Sequence, residues 1–138
     1  MPHDPELVAE TKGWFERAWT DLRAANHEWT ADPPVLEDIV FHAQQAVEKC
    51  FKGFLAWHGI TFRKTHNLEE LAESCLRLDP TLRDLADRAV PLTEYAWKFR
   101  YPGEPESPSS EEAAEALGTA KEVYAALLAR LPEEVRPV

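Results

Sequence analysis

The chain has 138 residues, with 25 acidic and 15 basic side chains, a formal net charge of −10 and 44% hydrophobic content. That length and apolar fraction suit one core, so a single domain over residues 1–138 is expected. The acidic balance argues against broad attachment to DNA or anionic membranes, no apolar run approaches the roughly 20 residues that span a bilayer, and residues 1–10 lack a basic region leading into an apolar one; a cytoplasmic protein with no membrane partner is expected, and any nucleic-acid contact must be local.

The first segment opens with Asp4 and Pro5, a capping side chain followed by a residue suited to the first helical position. Val8, Thr11, Phe15, Trp19, Leu22 and Ala25, joined by Trp14 and Ala18, then recur at helical spacing and predict an inward face up to about Trp29. The Thr30 to Pro34 connection halts that helix, and Asp32 with Pro33 is expected to start the next. There the pattern Leu36, Ile39, Val40, Ala43, Val47, Cys50, Phe51, Phe54 and Leu55 runs unbroken until Gly59, a natural left-handed stop.

Beyond a loop from Gly59 to Lys64, Asn67 reads as a cap with Glu70 three positions on, followed by Leu68, Leu71, Ala72, Cys75 and Leu78 on a shorter third helix. Asp79 and Pro80 start a fourth, in which Leu82, Leu85, Ala89, Leu92, Ala96 and Phe99 keep the period while Pro91 must kink or split it. Arg100-Tyr101-Pro102-Gly103 marks its end, and residues 103–110, rich in proline, serine and glutamate, read as an exposed, mobile loop. Ser109 with Glu112 offers a capping box for a last helix carrying Ala113, Ala116, Leu117, Ala120, Val123, Tyr124, Leu127 and Leu131 before Pro132. No run alternates long enough for a strand, and no internal repeat is visible. The expected fold is all-α, an up-and-down antiparallel bundle of four long helices plus one short one.

Cys50 and Cys75 form neither a CxxC pair nor a metal-ligand array, so thiols in a reducing cytoplasm are the simplest reading, with a disulfide as the alternative, and neither a metal nor another cofactor is expected. Five tryptophans are many for a chain this short; any that do not fit a small core would mark a partner surface.

Four stretches together resemble the HEPN domain family: Ala18-x-x-Asp21-Leu22-x-x-Ala25, the run from Phe41 to Leu55 (FHAQQAVEKCFKGFL), Lys64-Thr65-His66-Asn67-Leu68, and Arg100-Tyr101-Pro102-Gly103. The resemblance covers roughly Trp14 to Leu131. It implies a helical bundle that commonly forms a homodimer, a gene beside one for a minimal nucleotidyltransferase, and a role in toxin–antitoxin or related defence modules. Many HEPN toxins are ribonucleases that use an Arg-x4-6-His motif. Here no arginine precedes His42, His58 or His66 at that spacing, and Arg83, Arg88 and Arg100 have no histidine downstream. The family's catalytic pair is therefore not carried over, and no catalytic residue is assigned.

Three constellations remain as candidate ligand sites. On the second helix His42, Gln45, Lys49 and Lys52 are spaced to share one face, a polar ridge able to meet a nucleotide or an RNA phosphate; the plainer reading is a solvated face on which Glu48 pairs with Lys52. His66, just before the third helix and near Arg63 and Lys64, could join a phosphate site or act as a general acid or base; alternatively Thr65, His66 and Asn67 cap that helix and pin the loop. Arg100 is expected in the last turn of the fourth helix beside Tyr101, to bind a phosphate and stack a base, or simply to stop the helix. Neither a P-loop, a Gly-rich dinucleotide turn, HExxH nor a nucleophile elbow occurs.

Overall fold

The computed structural model describes residues 2–103 and 106–137. Among them are five α-helices and no strand: α1 (Pro5–Glu28), α2 (Leu36–Trp57), α3 (Leu68–Leu78), α4 (Arg83–Ala89) and α5 (Ser110–Leu128). Of the loop expected over residues 103–110, positions 104 and 105 lie outside the described residues.

Local chemistry sets most of the helix starts. The Asp4 side chain accepts the Glu6 amide at 2.9 Å with Pro5 in the first turn. Asn67 accepts the Glu69 amide at 3.0 Å, and Ser109 and Glu112 exchange both bonds of a capping box at 3.0 and 3.1 Å. At the end of α2 Gly59 takes φ +70°, and the next amide, that of Ile60, reaches back to the Leu55 carbonyl at 3.0 Å, closing the helix as a left-handed glycine stop does.

Three expectations are corrected. Asp32 and Pro33 do not start α2; the helix begins at Leu36 after Val35, with no side-chain cap. Pro34 bars the residue before it from helical geometry, which pushes the start beyond the proline pair. The fourth segment is not a long helix. A 3-10 turn, Pro80–Leu82, leads into the seven residues of α4, and a second 3-10 stretch, Val90–Ala96, follows. Pro91 has no amide to give the preceding turn and its ring crowds that turn's carbonyl, so the α-helical ladder stops there. The bundle thus has three long helices, of 24, 22 and 19 residues, one of 11 and one of seven. Trp19, placed on the inward face by its spacing, is 45% exposed and lies 5.8 Å from the Tyr124 ring. Phe15, Ala18, Leu22 and Ala25 carry the buried face instead, and Trp19 stands at its edge.

The second helix is the hub. It packs against α1, α5, α3 and the 3-10 stretch, and fourteen of its residues are buried. Against α1 there is no room for a side chain at Gly53, where an added Cβ would stand 2.7 Å from a Phe15 ring carbon and 2.9 Å from the Trp14 Cβ. That contact fixes the register of α1 on α2 and so decides which polar groups meet across the seam.

A candidate anion-binding seam between the first two helices

Asp21 lies on the buried side of α1, with Ala18, Leu22 and Ala25 as its neighbours on that face. A carboxylate taken out of water needs partners, and α2 supplies two. His42 Nδ1 lies 2.9 Å from Asp21 Oδ1, and Lys49 Nζ lies 2.5 Å from Asp21 Oδ2. His42 and Lys49 are two helical turns apart on one side of α2, so a single carboxylate reaches both. Both side chains stay partly accessible, at 29% and 24%.

The seam continues past the start of α2. Arg100 stacks its guanidinium 4.0 Å from the centre of the Phe41 ring and donates to Asp38 at 3.0 Å. The His42 ring meets the same phenyl ring edge-on at 5.6 Å. Arg100 and His42 therefore flank one aromatic side chain, although they are far apart in sequence. Arg100 was expected in the last turn of a helix. It lies beyond the end of the 3-10 stretch and after Phe99, whose φ is +68°, and α2 rather than a helix dipole holds it. Tyr101, next in the chain, is 67% exposed.

A second polar cluster surrounds Glu48. Its Oε2 accepts from Lys52 at 3.0 Å, and its Oε1 lies 2.6 Å from His66 Nδ1 and 3.4 Å from Gln44 Nε2. Gln44 also donates to the His66 carbonyl at 3.3 Å and accepts from Gln45 at 2.6 Å. Lys52 and Glu48 are both buried, with side chains 8% and 5% exposed, and the ammonium sits 5.7 and 5.9 Å from the Trp14 and Phe62 ring centres. The ridge is thus divided: His42 and Lys49 meet Asp21, Lys52 meets Glu48 and faces the interior, and Gln45 donates to the Gln44 side-chain carbonyl. The expected Glu48–Lys52 pair is present, but inside the protein and not on a solvated face.

His66 points back at Glu48 while Asn67 caps α3 and Thr65 accepts the Asn67 amide at 3.0 Å, so the loop before α3 is pinned from both sides. Arg63 pairs with Glu70 at 2.7 Å; Lys64 is exposed and makes no ion pair among the described residues. Among those residues no three His, Cys, Asp or Glu side chains gather as a metal site. Of the two carboxylates on which the clusters turn, spacing pairs Glu48 with Lys52 but gives Asp21 no partner. The signal was a carboxylate inside an apolar helical face.

Residues 11–131 match the family model of the HEPN domain. The chain belongs to the HEPN family. No curated protein and no solved structure matched it. This HEPN chain keeps the family's helical fold without the Arg-x4-6-His spacing; Arg23 and His27 have three residues between them, one too few. No described helix is long and apolar enough to cross a membrane.

Proposed function

We propose that this HEPN protein is a binding and interaction module, a cytoplasmic homodimer that pairs with a separately encoded minimal nucleotidyltransferase in a toxin–antitoxin-like module and takes a nucleotide or RNA phosphate at the α1–α2 seam. The observation that carries the ligand reading is the grouping of Lys49, His42 and Arg100, each pinned by a carboxylate or a ring yet partly open. Pinned donors lose little freedom when a phosphate arrives, and their partial neutralisation suits local contact by an acidic protein better than attraction of a long polyanion. Calorimetry with ATP tests it. Heat is expected with wild type and a loss of about tenfold or more in affinity with Arg100→Ala, a charge-assisted bond being worth ~1.5–3 kcal/mol. Absence of heat with wild type removes the ligand. Light scattering tests assembly separately, and a clean monomer at micromolar concentration removes the dimer.

A second reading is a divergent metal-independent ribonuclease. It is favoured by one arrangement: an imidazole oriented by a carboxylate, with a guanidinium across the same phenyl ring. Total RNA incubated with wild type and His42→Ala decides it. Loss of cleavage in the variant supports the enzyme, and equal cleavage assigns the activity elsewhere. His66→Ala serves as the parallel arm for the other carboxylate-held imidazole.

A further inference from the structure

A cleft of about 510 Å3 lies between the start of α3 and the 3-10 stretch Val90–Ala96, on the segment that leads into Arg100, whose amide donates to the Trp97 carbonyl at 3.3 Å. His66 and Glu69 line one wall; Thr93, Glu94 and Trp97 line the other, with Val90 and Pro91 adding apolar surface. Neither Lys49 nor Arg100 lines it.

The two walls are tied together. The Leu68 amide donates to Thr93 Oγ1 at 3.2 Å, and Thr93 in turn donates to the Val90 carbonyl at 2.7 Å. His66, although 68% exposed, is held at its ring by buried Glu48 and at its carbonyl by Gln44. Trp97 is 56% exposed, a large apolar ring left in water beside a fixed imidazole. Carboxylates complete the cleft: Glu69 has no ion pair among the described residues, and Glu94 shares Lys98 at 3.3 Å. The chain carries 15 lysines and arginines, yet none lines this cleft.

Lys98 already partly balances Glu94, which leaves Glu69 as the carboxylate to meet a ligand, and that charge favours a cation over a phosphate. The flat indole selects among cations, because a guanidinium is planar, weakly hydrated and stacks on aromatic faces while its edge donors reach carboxylates; an ammonium does neither as well. We propose that this cleft is a docking site for an arginine side chain carried by a basic segment of a protein partner. The guanidinium lies against Trp97, with its donors toward Glu69 and Glu94.

The test is a nuclear magnetic resonance titration of the full chain with acetyl-Gly-Arg-Gly-amide and with its citrulline counterpart, which keeps the shape and loses the charge. The Trp97 indole signal is assigned with Trp97→Phe. A saturable shift of that signal is expected with the arginine peptide and none with citrulline, while the Trp19 indole stays still. Glu69→Gln, a substitution on the surface that leaves the fold alone, weakens the apparent affinity about fivefold or more. The inference is overturned if Trp97 does not shift saturably, if Trp19 shifts equally, or if Glu69→Gln binds as wild type does. Because the seam is tested by ATP affinity in Arg100→Ala and this cleft by the arginine peptide in Glu69→Gln, either reading can fail without the other.

Discussion

The buried Glu48–Lys52 pair permits a quantitative test of which candidate residues are structural. Both side chains are more than nine-tenths buried at 3.0 Å separation, and the ammonium faces Trp14 and Phe62. Glu48→Leu removes the only carboxylate paired with Lys52 among the described residues and strands a charge in an aromatic pocket. Breaking one side of a buried pair costs ~3–5 kcal/mol, whereas replacing both partners by apolar side chains of similar size is often neutral or better. The expected outcome is a loss of ~3–5 kcal/mol for Glu48→Leu and a recovery of ~2 kcal/mol or more in Glu48→Leu/Lys52→Met, which still deprives Gln44 and His66 of the Glu48 acceptor. Urea titration reads both, provided the slope against denaturant is unchanged, and thermal melting should fall by roughly 10 °C or more in the single variant. If Glu48→Leu costs under ~1 kcal/mol, or if the double variant is as unstable as the sum of the two singles, Lys52 is not held in the way described and its exclusion from a ligand site fails with it.

Glycines at two sites should respond oppositely to alanine. Gly53→Ala drives a Cβ into Phe15 and Trp14 and should cost ~1–2 kcal/mol after the gain in helix propensity, while Gly13→Ala, with nothing within 4 Å of the new carbon, should gain ~0.5–1 kcal/mol; paired melts check the signs, and equal shifts would refute the close approach. Burial pushes the Cys75 thiol up to about 12 and raises Cys50 as well, so a thiol reagent at pH 8 should label neither in the folded protein and both in guanidinium; rapid labelling of either under native conditions contradicts their burial. The bonds from Thr81 and Arg130 hold the Asp79 carboxyl below its ordinary range. A depressed folded value stabilises the protein above the unfolded pKa of ~4 and ceases to do so as pH falls through the folded one. Stability measured from pH 6 down to 3 should therefore fall less steeply in Asp79→Asn than in wild type, and parallel curves would remove that contribution.

Much of the fold was legible because its determinants are local. Caps at Asp4, Asn67, Asp79 and Ser109 act over two or three residues, so sequence spacing displays them directly. The apolar repeat of α2 also survives intact, since a hub helix buried on most sides leaves little ambiguity about its inward face. What failed was competition between local signals. Asp32–Pro33 carries a helix-start signature, but Pro34 overrides it. The fourth segment keeps a helical period through Pro91 although its backbone cannot remain α-helical there. Trp19 satisfies the spacing rule and still lies outside, because periodicity marks an angle around the helix and not whether a neighbour covers it.

The candidate site was less legible because its bonds are long in sequence. Lys49 and Asp21 are 28 positions apart, His66 and Glu48 18, and Arg100 and Asp38 62. Spacing along α2 shows Glu48 as the counter-charge of Lys52, but not Asp21 for Lys49 and His42 or Asp38 for Arg100. The complementary signal lay in the apolar faces: a carboxylate at Asp21 among Ala18, Leu22 and Ala25, or at Glu48 beside Val47 in a run that is almost wholly buried, must find a cation or cost several kcal/mol. The two carboxylates then sort the cations by what remains to them. Lys52 is enclosed, and a ligand could reach it only by opening the core. Lys49 gives one of its three ammonium hydrogens to Asp21 and stays a quarter exposed, so a phosphate can take another without breaking the pair. That difference limits the ligand reading to Lys49, His42 and Arg100, and requires Lys52→Met to leave nucleotide affinity unchanged wherever the protein stays folded.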